Sequence, residues 1–326
     1  MDFTDYIAGA NDSGRRLDKI LKHIFQDTHS TNIYAALRKK LIRVNEAKTS
    51  AEYKVNQGDI ISIATFLLGQ TNALDNEKNE TKITEDKHQL QTILKNEHIL
   101  IINKPYGINV HSSNTKEQDI ASIVAAQYKD KSSIAFTPAP LHRLDKYTTG
   151  VLAISLSHEG AVWFSSAIST HAVKKTYIGI AEGTLNERET WEDSIENTSD
   201  SKTSFHTVTI SEGAKRAVTH ALPLAYGVYK GHPITLIQYN IETGRKHQIR
   251  IQSSTHGHPL LGDNAYNSSI NITSPVPHNF FLHAIQLEFP KDNPISLPHT
   301  ITAPLPEDFE SFLEFSLLKW NKKLII

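Results

Sequence analysis

The chain has 326 residues, a formal net charge of −1 at pH 7, 39% apolar and 21% charged residues, and no cysteine. Such a length accommodates about two domains with ordinary cores, and the lack of thiols excludes disulfides and leaves any metal to histidine and carboxylate. No apolar run reaches bilayer-spanning length and the acidic stretch Met1–Asp5 is unlike a secretory leader, so a cytoplasmic protein is expected.

Gly14–Phe25 places Leu17, Ile20, Leu21, Ile24 and Phe25 on one helical face at the i, i+3, i+4, i+7, i+8 spacing. Thr31–Leu41 reads as a second helix, with Ile33, Leu37 and Leu41 on one side and Arg38, Lys39 and Lys40 on the other. Two short strands are expected next, Ile42–Asn45, which holds Arg43, and the end of Tyr53–Ile63 beyond a turn at Gly58. Gly14–Ala64 contains ten basic and five acidic residues, so it is about +5 while the remainder is about −6. A basic unit beside an acidic body places polyanion binding at one end. The plainer reading of Arg38–Lys40 is a solvated helix face.

Residues 69–89 are almost devoid of apolar side chains, which predicts a flexible linker across 65–90. A second domain, 91–316, opens on the buried strand Ile99–Asn103 and the string Asn103-Lys104-Pro105-Tyr106-Gly107-Ile108-Asn109-Val110-His111, in which Pro105 and Gly107 fix a turn. Helices are expected at Asp119–Tyr128 and His158–Ile168, and a strand at Lys174–Ile180 carrying Lys175-Thr176-Tyr177. The polar region Asn186–Ser204 reads as an insertion or exposed loop, followed by paired strands at Lys215–Leu222 and Thr235–Glu242. In Thr243-Gly244-Arg245-Lys246-His247-Gln248-Ile249-Arg250-Ile251 the alternation predicts a strand with Gln248 and Arg250 on one face. Phe280–Ala284 and Leu287–Phe289 read as a further strand pair.

The chain is organised around Leu141–Gly150, L-H-R-L-D-K-Y-T-T-G, which leaves a proline-rich stretch and enters the apolar run Val151–Ile154. Asp145 is flanked by Arg143 and Lys146, with the hydroxyls of Thr148 and Thr149 close by. Opposite charges favour the ionised form of a carboxylate. Such a group is a nucleophile, a general base or half of a buried ion pair, and these ten residues alone leave the three open.

His142, Arg143, Leu144, Asp145, Thr148, Thr149 and Gly150 match H-R-L-D-x-x-T-[ST]-G, and the string resembles the motif of the RluA-type pseudouridine synthases. Asn103–His111, Lys175-Thr176-Tyr177, Thr243–Arg250, His256–Tyr266 and Leu282-His283-Ala284 resemble further motifs of that family, with Tyr106 bulkier than expected and Asn267 where a glycine often stands. The pattern over Gly14–Ala64 resembles the S-four-type RNA-binding module named after a small-subunit ribosomal protein.

The resemblance implies an α+β fold, a mixed and mostly antiparallel sheet with flanking helices, plus the small N-terminal domain at 14–64. It implies a cofactor-free isomerase acting on structured RNA, large-subunit ribosomal RNA above all, as a monomer. Asp145 would be the reacting residue, Arg250 its ion-pair partner and Tyr177 the platform for the extruded base. Arg143 would fill the stack, Leu144 and Ile249 would wall the pocket, and Lys104, His142, Arg245 and His247 would touch substrate or brace turns. Arg38, Lys39, Lys40 and Arg43 would bind RNA.

Seventeen histidines invite a metal reading, but they lack H-E-x-x-H spacing and companion carboxylates, so no metal is expected. Two alternatives stand beside the ribosomal synthase: a non-catalytic RNA-binding assembly factor, and a transfer-RNA synthase of the same family.

Overall fold

A computed structural model describes residues 1–25, 32–68, 90–112, 117–199, 206–210, 213–272 and 279–316. Of the expected linker across 65–90, residues 69–89 lie outside the described residues.

The N-terminal unit comprises β1 (Phe3–Ile7), α1 (Leu17–Ile24), α2 (Ile33–Arg38), β2 (Ile42–Val44) and β3 (Ile60–Ala64). Its sheet is antiparallel in the order β1-β3-β2. Leu17, Ile20 and Leu21 of the α1 stripe are fully buried against Ile42, Val44, Ile61 and Ile63. The expected second helix is shorter than its sequence pattern, since Asn32 caps it by accepting the Ala35 amide at 3.0 Å. The sheet also takes in β1, ahead of the expected start at Gly14. Beyond β3, Thr65–Leu68 forms a 3₁₀ turn whose Leu68 is buried in this core.

The larger unit is built on one long sheet. Its strands are β4 (Gln91–Lys95), β5 (Ile99–Lys104), β6 (Ala139–Pro140), β7 (Thr149–Ser155), β8 (Lys174–Glu182), β9 (Glu189–Ser199), β10 (His206–Ile210), β11 (Lys215–Tyr229), β12 (His232–Ile241), β13 (Leu282–Glu288) and β14 (Thr300–Thr302). They run β10-β9-β11-β12-β8-β13-β7-β5-β4, with β14 on β13 and β6 on β7. Among the described residues the only parallel neighbours are β7 and β13, which register His283 on Thr149 and Ala284 on Gly150. The sheet is thus two antiparallel blocks meeting at that pair. Gly150 permits the meeting: a Cβ there would lie 2.2 Å from the Ala284 carbonyl oxygen, and its φ of +110° is open to glycine.

β5 and β7 are apolar at every position of Ile99–Ile102 and Val151–Ile154 because both faces of the sheet are covered. Ile99, Ile101, Val151 and Ala153 pack on Phe164 and Ala167 of α4 (His158–Ser169), whereas Leu100, Ile102, Leu152 and Ile154 face Ile120, Ile123 and Val124 of α3 (Ile120–Gln127). Gly160 lets α4 approach the sheet, since a Cβ there would meet the His98 carbonyl oxygen at 2.6 Å.

Three expectations give way. Asn186–Ser204 is a strand rather than a loop from Glu189 to Ser199: β9 pairs with β11 and buries Trp191 and Ile195. Phe280–Phe289 supplies one strand, β13, paired with β8, rather than a hairpin. Gln248–Thr255 is a helix, α5, and every residue from Gln248 to Ser253 is buried. His247 turns the chain into it from the left-handed region at φ 54°, and the Gln248 side chain accepts from the Arg245 amide at 3.0 Å and the Thr243 hydroxyl at 2.7 Å. α6 (Glu307–Phe315) closes the described chain, packing Phe309 and Phe312 on Phe281.

Candidate active site

Asp145 lies in the connection from β6 to β7, where a tight turn returns the Thr148 amide to the Asp145 carbonyl at 3.1 Å. The next carbonyl, of Lys146, accepts from the Gly107 amide at 3.0 Å and from the Lys104 ammonium at 3.1 Å. Lys104 Nζ also donates to the Pro105 and Ile108 carbonyls, at 2.9 Å each, and the residue is 1% exposed. Burial pushes its amine down to about 7 against the pull of Asp145, and the three carbonyls around Nζ match the three donors of an ammonium. Of the two roles expected for Lys104, contact with substrate and bracing of a turn, the structure shows the second, for its head group is consumed in holding the loop beside Asp145. Lys104→Met is expected to lower kcat while leaving RNA affinity within about twofold, with stability down by about 2 kcal/mol or more from the lost charged hydrogen bonds. Single-turnover rates and filter binding on the same RNA would separate the two effects; a change in affinity alone would contradict the bracing role.

His142 is likewise taken up by the fold. Its Nε2 accepts the Ala153 amide at 3.0 Å and its ring stacks on Phe164, so it ties the loop to β7 rather than presenting that nitrogen to a ligand. At the far end of the motif the Thr149 hydroxyl meets His283 Nδ1 at 2.7 Å across the parallel pair.

Arg250 projects from α5 with its Nη1 3.7 Å from Asp145 Oδ2. Its closer partner is Asp263, bound bidentately through Nε at 2.7 Å and Nη2 at 2.8 Å. The guanidinium lies between the rings of Tyr266 (4.7 Å) and Phe280 (4.6 Å), so both faces and the fork edge are fixed. One cation therefore serves two carboxylates, a buried one that aims it and the more accessible Asp145.

His247 completes this wall, with Nε2 3.7 Å from Asp145 Oδ1 and Nδ1 2.7 Å from the Tyr266 hydroxyl. Burial lowers its pKa to about 4 against the pull of Asp145, so the ring is neutral at pH 7. The tautomer that suits both neighbours carries the proton on Nε2, facing the carboxylate, and accepts from the tyrosine at Nδ1.

Tyr177, on β8, is 7% exposed and borders the same cleft. Burial, and after it the charge of Asp145, raise its phenol well above the ordinary value, so it stays protonated as a hydroxyl donor rather than a resident base. Leu144 and Ile249 supply apolar wall. The cleft has two lobes of about 490 and 610 Å³, which share Arg143, Leu144, Asp145, Lys246, His247 and Arg250. Arg143 is exposed where they join. Arg245 lines the first lobe and is held by its Nε donating to the Arg216 carbonyl at 3.1 Å. Arg38, Lys39 and Lys40 are exposed at the end of α2, and Arg43 lies over the Phe3 ring at 4.4 Å in the N-terminal unit, apart from this cleft.

Two residues emerge from the structure alone. Asp263 stands in the quoted Gly262-Asp263 string, yet its role depends on a partner thirteen positions away in sequence. Glu182 at the end of β8 accepts from the Ser268 hydroxyl, the Ser269 hydroxyl at 2.7 Å and the Ile270 amide at 3.1 Å. The Ser268 hydroxyl in turn accepts the Gly262 amide at 2.9 Å, so Glu182 fixes the turn that presents Asp263 and Tyr266.

Burial lowers His142 to about 3 and both His247 and His283 to about 4. The unfolded chain binds protons at these positions below about pH 6.5, whereas the folded chain does not until pH 3–4, so stability falls as pH drops through that window. Urea unfolding should show a loss on the order of 1 kcal/mol per histidine per pH unit between pH 6 and pH 4. A midpoint that stayed flat across that range would contradict the assignment.

The profile of the RNA pseudouridylate synthase family matches residues 98–255. The chain is 27% identical over 320 residues to ribosomal large subunit pseudouridine synthase D of Nitrosomonas europaea, covering 93% of this chain and 85% of that one. It is 25% identical over 312 residues to ribosomal large subunit pseudouridine synthase C of Vibrio vulnificus, covering 93% of each. Among solved structures, human RNA pseudouridylate synthase domain containing 4 superposes with a TM-score of 0.56 at 23% identity, over 71% of this chain and 95% of that one, which shows a shared fold. Residues 98–255, where Asp145, Tyr177 and Arg250 converge on one cleft, belong to the RNA pseudouridylate synthases.

Proposed function

We propose that this protein isomerises uridine to pseudouridine in large-subunit ribosomal RNA, with Asp145 as the reacting carboxylate. The observation that carries the reading is the accessible Asp145 carboxylate at the junction of two lobes, 3.7 Å from an arginine whose own position is set by Asp263. Ribosomal RNA as substrate is supported by the names of the two bacterial relatives.

The reaction breaks the glycosidic carbon–nitrogen bond, turns the uracil, joins its C5 to the same ribose carbon, releases the C5 proton and leaves a proton on the freed ring nitrogen. Nothing is gained or lost overall, so no cofactor is required. Asp145 acts as nucleophile or base while Arg250, 3.7 Å away, aims it. Tyr177 supports the extruded ring, and Leu144 and Ile249 keep water from the freed base. Arg143 at the mouth fills the place the uridine vacates, which offsets part of the few kcal/mol that flipping costs. Arg245, Lys246 and His247 line the path of the flanking backbone. The N-terminal unit, read as an S-four-type module, adds affinity through Arg38, Lys39, Lys40 and Arg43. The enzyme works as a cytoplasmic monomer.

A pseudouridine-specific chemical map of all RNA from cells with and without the gene tests the substrate. Loss of one or more large-subunit sites is expected. Loss confined to transfer RNA would move the reading to that substrate, and an unchanged map would leave a non-catalytic RNA-binding factor.

A further inference from the structure

The two units meet through a buried carboxylate that the chemistry of the cleft does not use. Asp12, in the turn after β1, is 0% exposed. Its oxygens accept from the Gly9 amide at 3.0 Å within its own unit, and from the Ser133 hydroxyl at 2.8 Å, the Ile134 amide at 3.0 Å and the Ala135 amide at 3.1 Å across the divide. Its neighbours repeat the crossing. Asn11 donates to the Lys131 carbonyl at 2.8 Å and accepts the His158 amide at 3.0 Å, and Arg15 donates to the Ala135 carbonyl at 2.7 Å. Ile134 and Ala135 pack on the core of the N-terminal unit. A side chain on Gly9 would bring its Cβ within 2.9 Å of Ser133 Cβ, so the backbones are as close as they can be.

Contacts of this kind fix orientation as well as proximity. Apolar surfaces slide at little cost, but a buried carboxylate with four donors has one satisfied arrangement, and rotating the unit strands a charge away from water. The bonds also reach two separate parts of the larger unit, the Lys131–Ala135 segment and the start of α4, which removes the remaining swivel.

We propose that Asp12 makes the N-terminal unit a rigid arm, so that the basic turn at Arg38–Arg43 and the cleft at Asp145 grip RNA at one set spacing. Asp12 is a positioning residue for substrate choice. This rests on the reading that the N-terminal unit binds RNA, and it goes beyond that reading in stating that the unit measures. An RNA reaching both surfaces gains from their fixed separation, because the second contact is made at a high effective concentration only where the span fits. An RNA too short to reach the arm gains nothing.

The test uses the full chain, whose lack of cysteine allows paired labels without background. Spin labels at Lys48→Cys and Lys291→Cys, both exposed positions, should give one narrow distance distribution by pulsed electron paramagnetic resonance. Asp12→Ala should broaden it, with Asn11→Ala as the milder variant should the first fail to fold. On transcribed large-subunit ribosomal RNA, Asp12→Ala should raise KM about tenfold with kcat unchanged, while a short stem-loop cut from around the modified uridine should show neither effect. A broad distribution in the parent, a narrow one in both variants, or broadening without any change in KM on the long RNA would each overturn the proposal. A triple variant, Arg38→Ala with Lys39→Ala and Lys40→Ala, separates the two readings. If it leaves KM on the long RNA unchanged, the RNA-binding reading fails and the measuring role with it, while the distance data still report whether Asp12 fastens the units.

Discussion

Asp145→Asn is expected to bind RNA within a few-fold of the parent and to turn over at least about 10⁴-fold more slowly, the scale on which loss of a reacting side chain is felt. The amide keeps the size and shape of the carboxylate but can neither attack as an anion nor take up a proton at neutral pH. The surroundings tolerate the change. Arg250 keeps its bidentate bond to Asp263, so no cation is stranded, and Asp145 is already partly open to water. Removing a negative charge from a cleft that receives phosphates does not weaken binding. Release of tritium from C5 of labelled uridine, measured beside equilibrium binding, checks both halves. Turnover above about a hundredth of the parent rate would end the assignment of Asp145 as the reacting group.

The second large effect belongs to Arg250 and Asp263. Arg250→Met leaves Asp263, 2% exposed, without its counter-charge, and breaking a buried pair from one side costs about 3–5 kcal/mol. Activity should fall with it, since Asp145 loses its oriented cation. Exchanging both partners, Arg250→Met with Asp263→Leu, should recover most of the stability because no isolated charge remains, yet none of the activity. A thermal-melt and turnover cycle over the four proteins tests this. Parallel recovery of both properties would mean that the pair only holds the fold, whereas failure of the double variant to regain stability would mean that Asp263 answers mainly to something other than Arg250.

The parts of this site that could be read from the chain were those whose chemistry is local. Leu141–Gly150 carries its turn, its carboxylate and the glycine of the close strand crossing within ten residues, and the apolar runs of β5 and β7 announce a strand covered on both sides. Arg250 reaches the carboxylate, but from a helix rather than the expected strand: four residues of alternation at Gln248–Ile251 fit either period, and His247 in the left-handed region decides between them. β9 was hidden because its outward positions Thr190, Glu192, Ser194 and Glu196 are polar and, among its described side chains, just Trp191 and Ile195 enter cores. Lys104 could be read as a substrate contact or a brace because its three carbonyls come from Pro105, Ile108 and the distant Lys146, whose convergence no string of letters displays. Asp263 and Glu182 escaped notice for the same reason.

The meeting of the two antiparallel blocks has a bearing on when the protein becomes active. Asp145 enters from one side of the β7–β13 contact, while Tyr177, Arg250 and Asp263 come from the other, and two residue pairs carry the strand pairing between them. A full-length chain whose two blocks have not joined therefore holds every reactive group and no reaction centre. Competence to modify RNA requires Thr149-Gly150 to lie against His283-Ala284, and turnover during refolding is expected to appear no earlier than that pairing.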